Sequence, residues 1–281
     1  MPELPEVETV RRGLEQHSTG FRIARVAVLR DRAIAAPRHD PQGFCAGLEG
    51  RTVQQWMRRG KYLMARLDQG HWGVHLRMTG QFLWLEALRS RELPPCRHTR
   101  VQVWNQQGQE LRFLDTRSFA EMWWVPPPQP LEAVIRGLSR LGPEPFDPAF
   151  NGAYLQRRLQ GSRRPIKSAL LDQALVAGVG NIYADEALFA AGIRPQTSSG
   201  RLSPERLQRL QQALVQVLEQ SIGAGGTTFS DFRDLSGSNG NYGGMAWVYR
   251  RTGQPCRRCH TTIQRERIAG RSSHWCPQCQ S

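Results

Sequence analysis

A chain of 281 residues is long enough for two domains with cores of their own. With 38 Lys and Arg against 24 Asp and Glu the net charge is +14, and 39% of the residues are hydrophobic. This describes a folded, strongly basic protein whose partner is a polyanion, most simply nucleic acid. No apolar run approaches the ~18 residues of a spanning helix and no signal peptide precedes the fold, which excludes membrane and exported classes and makes a reducing cytoplasm the expected compartment.

The chain opens Met1-Pro2-Glu3-Leu4-Pro5-Glu6-Val7-Glu8. Proline after the initiator is a context in which bacterial cells remove Met1, so the working N-terminus is expected to be the secondary amine of Pro2. An α-amino group titrates near ~8 and a lysine near ~10.4, so at neutral pH far more of the former is unprotonated. Such an amine can attack an electrophilic sugar carbon and form a Schiff base. Glu3 supplies a carboxyl for general acid catalysis. A flexible terminus in which two prolines start a helix is the plain alternative. Pro5, the acids Glu6 and Glu8, the bases Arg11 and Arg12, and Val7, Val10 and Leu14 predict a helix with these groups at its N-terminus. Glu6 on its first turn is either a site residue or a partner of the helix dipole.

From residue 21 to 125 the sequence turns to short β-branched and aromatic segments at 22–29, 51–57, 62–67, 72–76, 81–85, 100–104, 110–114 and 120–125, punctuated by Gly, Asp and Pro. They predict an antiparallel sandwich or barrel. The polar stretch 31–41 reads as a surface connection. Only Lys61 and Lys167 are lysines, the other 36 basic residues being arginine. Guanidinium cannot give up its proton at physiological pH, so a retained lysine is either a proton-transfer group or a chance survivor. Lys61 follows Arg58-Arg59-Gly60 where a loop meets a sheet, His75-Leu76-Arg77-Met78-Thr79-Gly80 ends a strand near a turn, and Asp115-Thr116-Arg117-Ser118-Phe119 links two strands. Taken singly, these are a solvated charge run, a satellite core methionine and an ordinary hairpin.

Proline-rich breaks at 126–130 and 142–148 mark a domain boundary. Beyond it the period is helical, with helices expected at 148–159, 166–173 and 184–191 and a glycine-rich turn, Val176 to Tyr183, leading into the third. Backbone amides of such a turn, with Asn181 as a side-chain donor, can hold a phosphate, and glycine serves tight helix packing equally well. Ser203-Pro204-Glu205 caps a long helix whose Leu207, Leu210, Leu214, Val217 and Leu218 form a core stripe ending near Gly223. The polar stretch 223–244 reads as a mobile loop. The expected organisation is a catalytic β-sandwich domain over 1–125, a linker over 126–148, a helical domain with the loop over 149–244, and a terminal ribbon over 245–281.

Cys256-x2-Cys259, sixteen residues, then Cys276-x2-Cys279 has the spacing of a four-thiolate zinc ribbon. Disulfides are the alternative, and a chain in a reducing compartment argues against them. Four thiolates leave no open position for water, so one structural zinc is expected and catalysis belongs elsewhere. Cys45 and Cys96 carry no such pattern. Arg265, Arg267 and Arg271 make the ribbon basic, with Arg271 at its turn.

The opening Pro2-Glu3-Leu4-Pro5-Glu6-Val7-Glu8-Thr9-Val10, then Arg59-Gly60-Lys61-Tyr62, Gly178-Val179-Gly180-Asn181-Ile182-Tyr183-Ala184 and the terminal ribbon together closely resemble bacterial formamidopyrimidine-DNA glycosylases, from end to end. The resemblance implies an α+β multidomain fold: an N-terminal β-sandwich and a C-terminal helix–two-turns–helix module with a zinc finger, forming a cleft for damaged duplex DNA. It implies Pro2 as the Schiff-base nucleophile at the sugar C1′, Glu3 as the donor to the ring oxygen, Lys61 in β-elimination and Arg271 in δ-elimination and phosphate contact. His98, Arg163, Lys167 and Asn181 fall among the DNA-binding positions. Met78, Arg117 and Phe119 fall on the residues that fill the hole left by an extruded nucleotide. A monomer in the bacterial cytoplasm, associated with the nucleoid, is implied as well. Ala120 stands where the family usually has glycine, which would stiffen the loop, and 237–244 differs from the commoner loop over the flipped base. Two other readings remain: an endonuclease VIII-like glycosylase for oxidised pyrimidines, and a zinc-ribbon protein that binds DNA without cutting it.

Overall fold

The computed structural model describes residues 1–228 and 232–281. They form two compact units, one of Met1–Ser139 with Gly225–Asn241, the other of Arg140–Ala224 with Tyr242–Ser281. The segment 225–241, contiguous in sequence with the helices before it, thus belongs to the first unit.

In the first unit α1 (Leu4–Ser18) precedes β1 (Ile23–Val28), β2 (Ile34–Ala36), α2 (Pro41–Leu48), β3 (Val53–Arg59), β4 (Tyr62–Leu67), β5 (His71–His75), β6 (Gly80–Leu85), α3 (Ala87–Glu92), β7 (Thr99–Asn105), β8 (Glu110–Asp115), β9 (Glu121–Val125) and α4 (Leu131–Val134). A four-stranded antiparallel sheet has the order β1-β7-β8-β6, and a five-stranded sheet the order β2-β9-β5-β4-β3 with only the β2–β9 pair parallel. Each of the eight expected strands is present. An aromatic seam joins the two sheets: Trp56 and Trp72 of the larger lie 5.5 Å apart, Trp72 lies 5.8 Å from Phe82, and Phe82 lies 5.0 Å from Phe113 of the smaller. Edge-to-face packing of this kind adds to the area these rings bury. Val7, Val10 and Leu14 of α1 join the same core.

Two features of the stretch 31–48 escaped the pattern. Ile34–Ala36 pairs with β9, and Asp40 caps α2 by accepting from the Gly43 N–H at 2.7 Å, with Pro41 in the first turn. Three strand residues and an eight-residue helix are too short to establish a period.

The second unit contains α5 (Gly152–Leu159), α6 (Ile166–Leu170), α7 (Asn181–Ala190), α8 (Pro204–Gly223) and the hairpin β10 (Gln264–Ile268) and β11 (Arg271–Trp275). The stripe on α8 is buried, and Tyr183 of α7 reaches Ser221 of α8 hydroxyl to hydroxyl at 2.6 Å. α6 stops at Leu170, earlier than its pattern suggests. Gln173 spends its amide on the glycine turn, accepting from the Gly178 N–H at 2.9 Å and donating to the Val179 carbonyl at 2.8 Å. Gly178 has φ +88°, a conformation glycine adopts without a Cβ penalty. No helix among the described residues is long and apolar enough to cross a membrane.

Candidate active site and nucleic-acid interface

The first unit presents its chemistry at one end of α1. Glu3 is the N-cap, and a reciprocal capping box ties it to Glu6, whose Oε2 accepts from the Glu3 N–H at 2.8 Å. Pro2 is buried, and Glu3 and Glu6 are 3% and 1% exposed. With Met1 in place the Pro2 nitrogen is an amide without nucleophilic character, so the free amine requires removal of Met1. Glu6 does more than answer the helix dipole, because its Oε1 accepts from the Thr227 N–H at 2.8 Å.

Lys61 occupies the two-residue turn between β3 and β4, where Arg59 pairs with Tyr62 and Gly60 has φ +55°. It is 7% exposed. A brace links this turn to α1: Glu8 accepts from Arg58 Nε at 3.2 Å, and Arg58 Nη1 donates to the Gly60 carbonyl at 2.9 Å. Burial raises the Glu8 pKa, but hydrogen bonds from Arg11 and Arg12 and the charges of Arg11 and Arg58 outweigh it and hold the carboxyl below its ordinary value. The apparent charge run at Arg58–Lys61 is therefore in part an anchor, with Arg58 tying the turn to α1. Beside it, burial first and then the charges of Arg77 and Lys61 push His75 down to about 3. His75 is thus neutral, and its Nδ1 accepts from the Arg77 N–H at 3.0 Å.

Met78, Arg117 and Phe119 lie on two loops joined by one carboxylate. Asp115, 1% exposed, accepts through Oδ1 from the Thr79 hydroxyl and, at 3.2 Å, from the Arg117 N–H; its Oδ2 accepts from the Ala120 N–H at 2.8 Å. Arg77 adds a salt bridge to Glu121. Phe119 is 43% exposed, with Arg117 5.1 Å and Arg32 5.7 Å from its ring centroid. The ring is thus an exposed aromatic face flanked by two guanidinium groups, within cation–π range of both. His98 joins the group, its carbonyl accepting from the Asp115 N–H at 2.9 Å. The Ala120 methyl is buried in the sandwich core, and its backbone does not need the left-handed conformation that glycine supplies.

In the second unit Asn181 is the first residue of α7, following Gly180. Its Nδ2 reaches Ser272 Oγ at 3.5 Å, while its buried Oδ1 has no hydrogen-bond partner among the described residues. Ser272 adjoins Arg271, which is exposed at the two-residue turn of the β10–β11 hairpin. Arg163 is exposed on the connection from α5 to α6. Lys167 is different. It is fully buried, its ammonium 2.7 Å from Asp185 and donating to the Ser272 carbonyl.

Two residues that sequence reasoning passed over hold this arrangement. Asp185 also accepts from the His274 N–H at 2.9 Å, and Glu186 accepts from the N–H groups of Trp247, Val248 and Tyr249 at 2.7, 3.0 and 2.9 Å. Burial pushes the Glu186 carboxyl up, against the opposing pull of those three donors. The signal was legible: adjacent acids in a helix that is otherwise apolar on every side have no solvated face to occupy.

The four ribbon cysteines have their sulfurs within 4.8 Å of one another. Cys256 and Cys279 are 3.9 Å apart and Cys259 and Cys276 3.4 Å, too far for disulfides and close to the ~3.8 Å edge of a tetrahedron with Zn–S bonds of ~2.3 Å. Backbone N–H groups of Arg258 and Cys279 point at Cys256 and Cys276 sulfurs, each at 3.4 Å. The donor set fits one structural zinc.

The family models settle the kinship. Residues 1–122 match the formamidopyrimidine-DNA glycosylase N-terminal domain, 141–233 the H2TH domain of the same enzymes, and 253–281 the zinc finger found in FPG and IleRS. The chain belongs to the formamidopyrimidine-DNA glycosylase family. Over the full length of both chains it is 64% identical to the formamidopyrimidine-DNA glycosylase of Parasynechococcus marenigrum and 60% identical to that of Prochlorococcus marinus. Among solved structures, the Lactococcus lactis Fpg complexed with abasic-site DNA superposes with a TM-score of 0.89 at 32% identity, covering 99% of each chain. The Thermus thermophilus MutM (Fpg) protein gives 0.86 at 40% identity over 99% of this chain and 98% of its own. The one zinc and the sandwich, helical module and ribbon implied by the sequence resemblance are those of this family.

Proposed function

We propose that the protein is a bifunctional DNA glycosylase and abasic-site lyase of base-excision repair, removing oxidised purines such as 8-oxoguanine and formamidopyrimidines from duplex DNA. The observation that carries the reading is the Pro2–Glu3 pair buried at a capped helix N-terminus in a chain of this family from end to end. The Pro2 amine attacks C1′ and the bond from C1′ to the base breaks. Glu3 protonates the ring oxygen as the sugar opens, leaving an iminium between Pro2 and C1′. Lys61, the buried amine braced toward α1, moves protons during the β-elimination that expels the 3′-phosphate. Arg271 serves the δ-elimination that expels the 5′-phosphate. Met78, Arg117 and Phe119 fill the vacated stack, an unstacking that costs about a few kcal/mol per step. His98, Arg163 and Asn181 bind the backbone, and Lys167 supports them from behind through Ser272. The enzyme acts as a monomer on nucleoid DNA in the cytoplasm.

Borohydride reduction in the presence of 8-oxoguanine DNA tests the assignment. A covalent adduct on the Pro2 nitrogen is expected, with residual trapping by Pro2→Gly and none when Met1 is retained. An adduct on Lys61 or Lys167 overturns it.

A further inference from the structure

Helix α1 carries two faces with different duties. Val7, Val10 and Leu14 enter the sandwich core, while Glu8, Arg11, Glu15 and Ser18 recur at helical spacing as a polar stripe beside them. That stripe lies along β3, the edge strand of the five-stranded sheet. An edge strand has backbone groups with no neighbouring strand to pair them, and α1 side chains meet those of Trp56: its N–H donates to Glu15 at 2.5 Å and its carbonyl accepts from Arg11 Nη1 at 3.3 Å. The indole of the same residue donates to Ser18 Oγ at 2.8 Å, both residues being buried.

Farther along β3 the stripe reaches Arg58. Glu8 accepts from its Nε at 3.2 Å, and Glu8 is held in turn by Arg11 Nη2 and Arg12 Nε, each at 3.0 Å. Arg58 Nη1 then donates to the Gly60 carbonyl at 2.9 Å, and that carbonyl belongs to the peptide bond into Lys61. The row of contacts thus runs from the last turn of α1 toward its first and ends beside one of the two lysines of the chain. Its two ends hold different things. Ser18 and Glu15 fix the helix to the strand, whereas Glu8 and Arg58 fix the turn to the helix.

We infer that Glu8 is a positioning residue for Lys61: through Arg58 and the Gly60 carbonyl it holds the β3–β4 turn in register with the helix whose N-terminus carries Pro2 and Glu3. The inference rests on the glycosylase reading above, in which Lys61 moves protons while Pro2 holds the sugar. A proton-transfer group owes its effect to placement, and a displacement of about 1 Å can cost roughly a hundredfold in rate. Loosening the brace should therefore reproduce, in weaker form, the defect caused by removing the amine itself. Loosening the other end of the row should lower stability and leave the balance between the chemical steps alone.

The experiment compares wild type with Glu8→Gln, Arg58→Gln, Lys61→Met, the double variant of Glu8→Gln with Lys61→Met, and Ser18→Ala, measuring urea unfolding, single-turnover excision of 8-oxoguanine and strand cleavage at a preformed abasic site. The readout is the ratio of cleavage to excision, which a general loss of folded protein does not move. Lys61→Met sets the direction of the change. Glu8→Gln and Arg58→Gln are expected to shift the ratio the same way by roughly fivefold or more, and Glu8→Gln to shift it by less than about twofold once Lys61 is gone. Ser18→Ala strands the buried Trp56 indole N–H, so it should lower the urea midpoint while holding the ratio within about twofold of wild type. An unshifted ratio in Glu8→Gln and Arg58→Gln, a double variant whose losses multiply, or an equal shift in Ser18→Ala overturns the inference, as does a Lys61→Met variant with the wild-type ratio. Failure of wild type to excise 8-oxoguanine and to cleave abasic DNA sinks instead the glycosylase reading on which it rests.

Discussion

Asp115 in the first unit and Asp185 in the second are both buried carboxylates, 1% and 0% exposed, that collect donors from stretches of chain distant in sequence. Their partners differ. Asp115 takes a hydroxyl and two backbone N–H groups from the loops bearing Met78, Arg117 and Phe119. Asp185 takes the Ser273 hydroxyl and the His274 N–H from the zinc ribbon and, beyond these, the ammonium of Lys167, itself fully buried. Neutral donors can be released to water at modest cost, whereas an ammonium stranded in the interior cannot. The first arrangement suits loops that, on the proposed function, part base pairs. The second suits a ribbon that must stay fixed to the helices beside Asn181.

The sharpest way to break that comparison is Lys167→Met. Removing one partner of a buried pair leaves Asp185 charged and unsolvated, so stability should fall by about 3–5 kcal/mol, measured by urea unfolding. Asp185→Asn in the same chain should recover part of the loss, because the amide oxygen still accepts from His274. A variant of unchanged stability with weakened DNA affinity would restore the direct DNA contact that the resemblance implied for Lys167.

A smaller effect is expected from Asp115→Asn. The amide nitrogen would face a donor that the carboxylate now satisfies, at a cost of about 1–3 kcal/mol. Excision should fall with it, since both wedge loops hang from this group. Destabilisation equal to that of Lys167→Met would erase the distinction between the two carboxylates.

This pair also shows where the sequence was readable. Periodicity located the eight long strands and the stripe of α8, and spacing located the zinc ligands, because each rests on repetition within a short stretch. Pro2, Glu3 and Lys61 stood out because an amine in an arginine-rich chain carries chemistry that arginine cannot. Asp115, Asp185 and Glu8 did not, since their importance lies in donors up to ninety residues away that no local pattern records. That the stretch 225–241 groups with the first unit and not with the helices before it is hidden for a related reason. Its composition is polar and glycine-rich, and Phe232 and Leu235, which pack on the sandwich core, are too few to establish a period.

The smallest effect on the fold, and the most specific on function, belongs to Arg117→Ala. The side chain is exposed and no hydrogen bond or salt bridge of its guanidinium supports the described structure; its contact is with the ring of Phe119, which Arg32 also flanks. Stability should therefore change by no more than about 0.5 kcal/mol. If Arg117 enters the space of the extruded nucleotide, its donors meet the Watson–Crick edge of the orphaned base, where cytosine offers O2 and N3 as acceptors and adenine sets its N6 amino group against a donor. A well-placed pair of such bonds discriminates by about 1–3 kcal/mol, or roughly 5- to 160-fold in rate. Wild type should then excise 8-oxoguanine faster opposite cytosine than opposite adenine, which spares the strand in which excision would fix a mutation, and Arg117→Ala should flatten that preference. Single-turnover excision opposite each base at one salt concentration reads it directly. Equal wild-type rates opposite the two bases would remove Arg117 from partner recognition and leave it as a support for Phe119 alone.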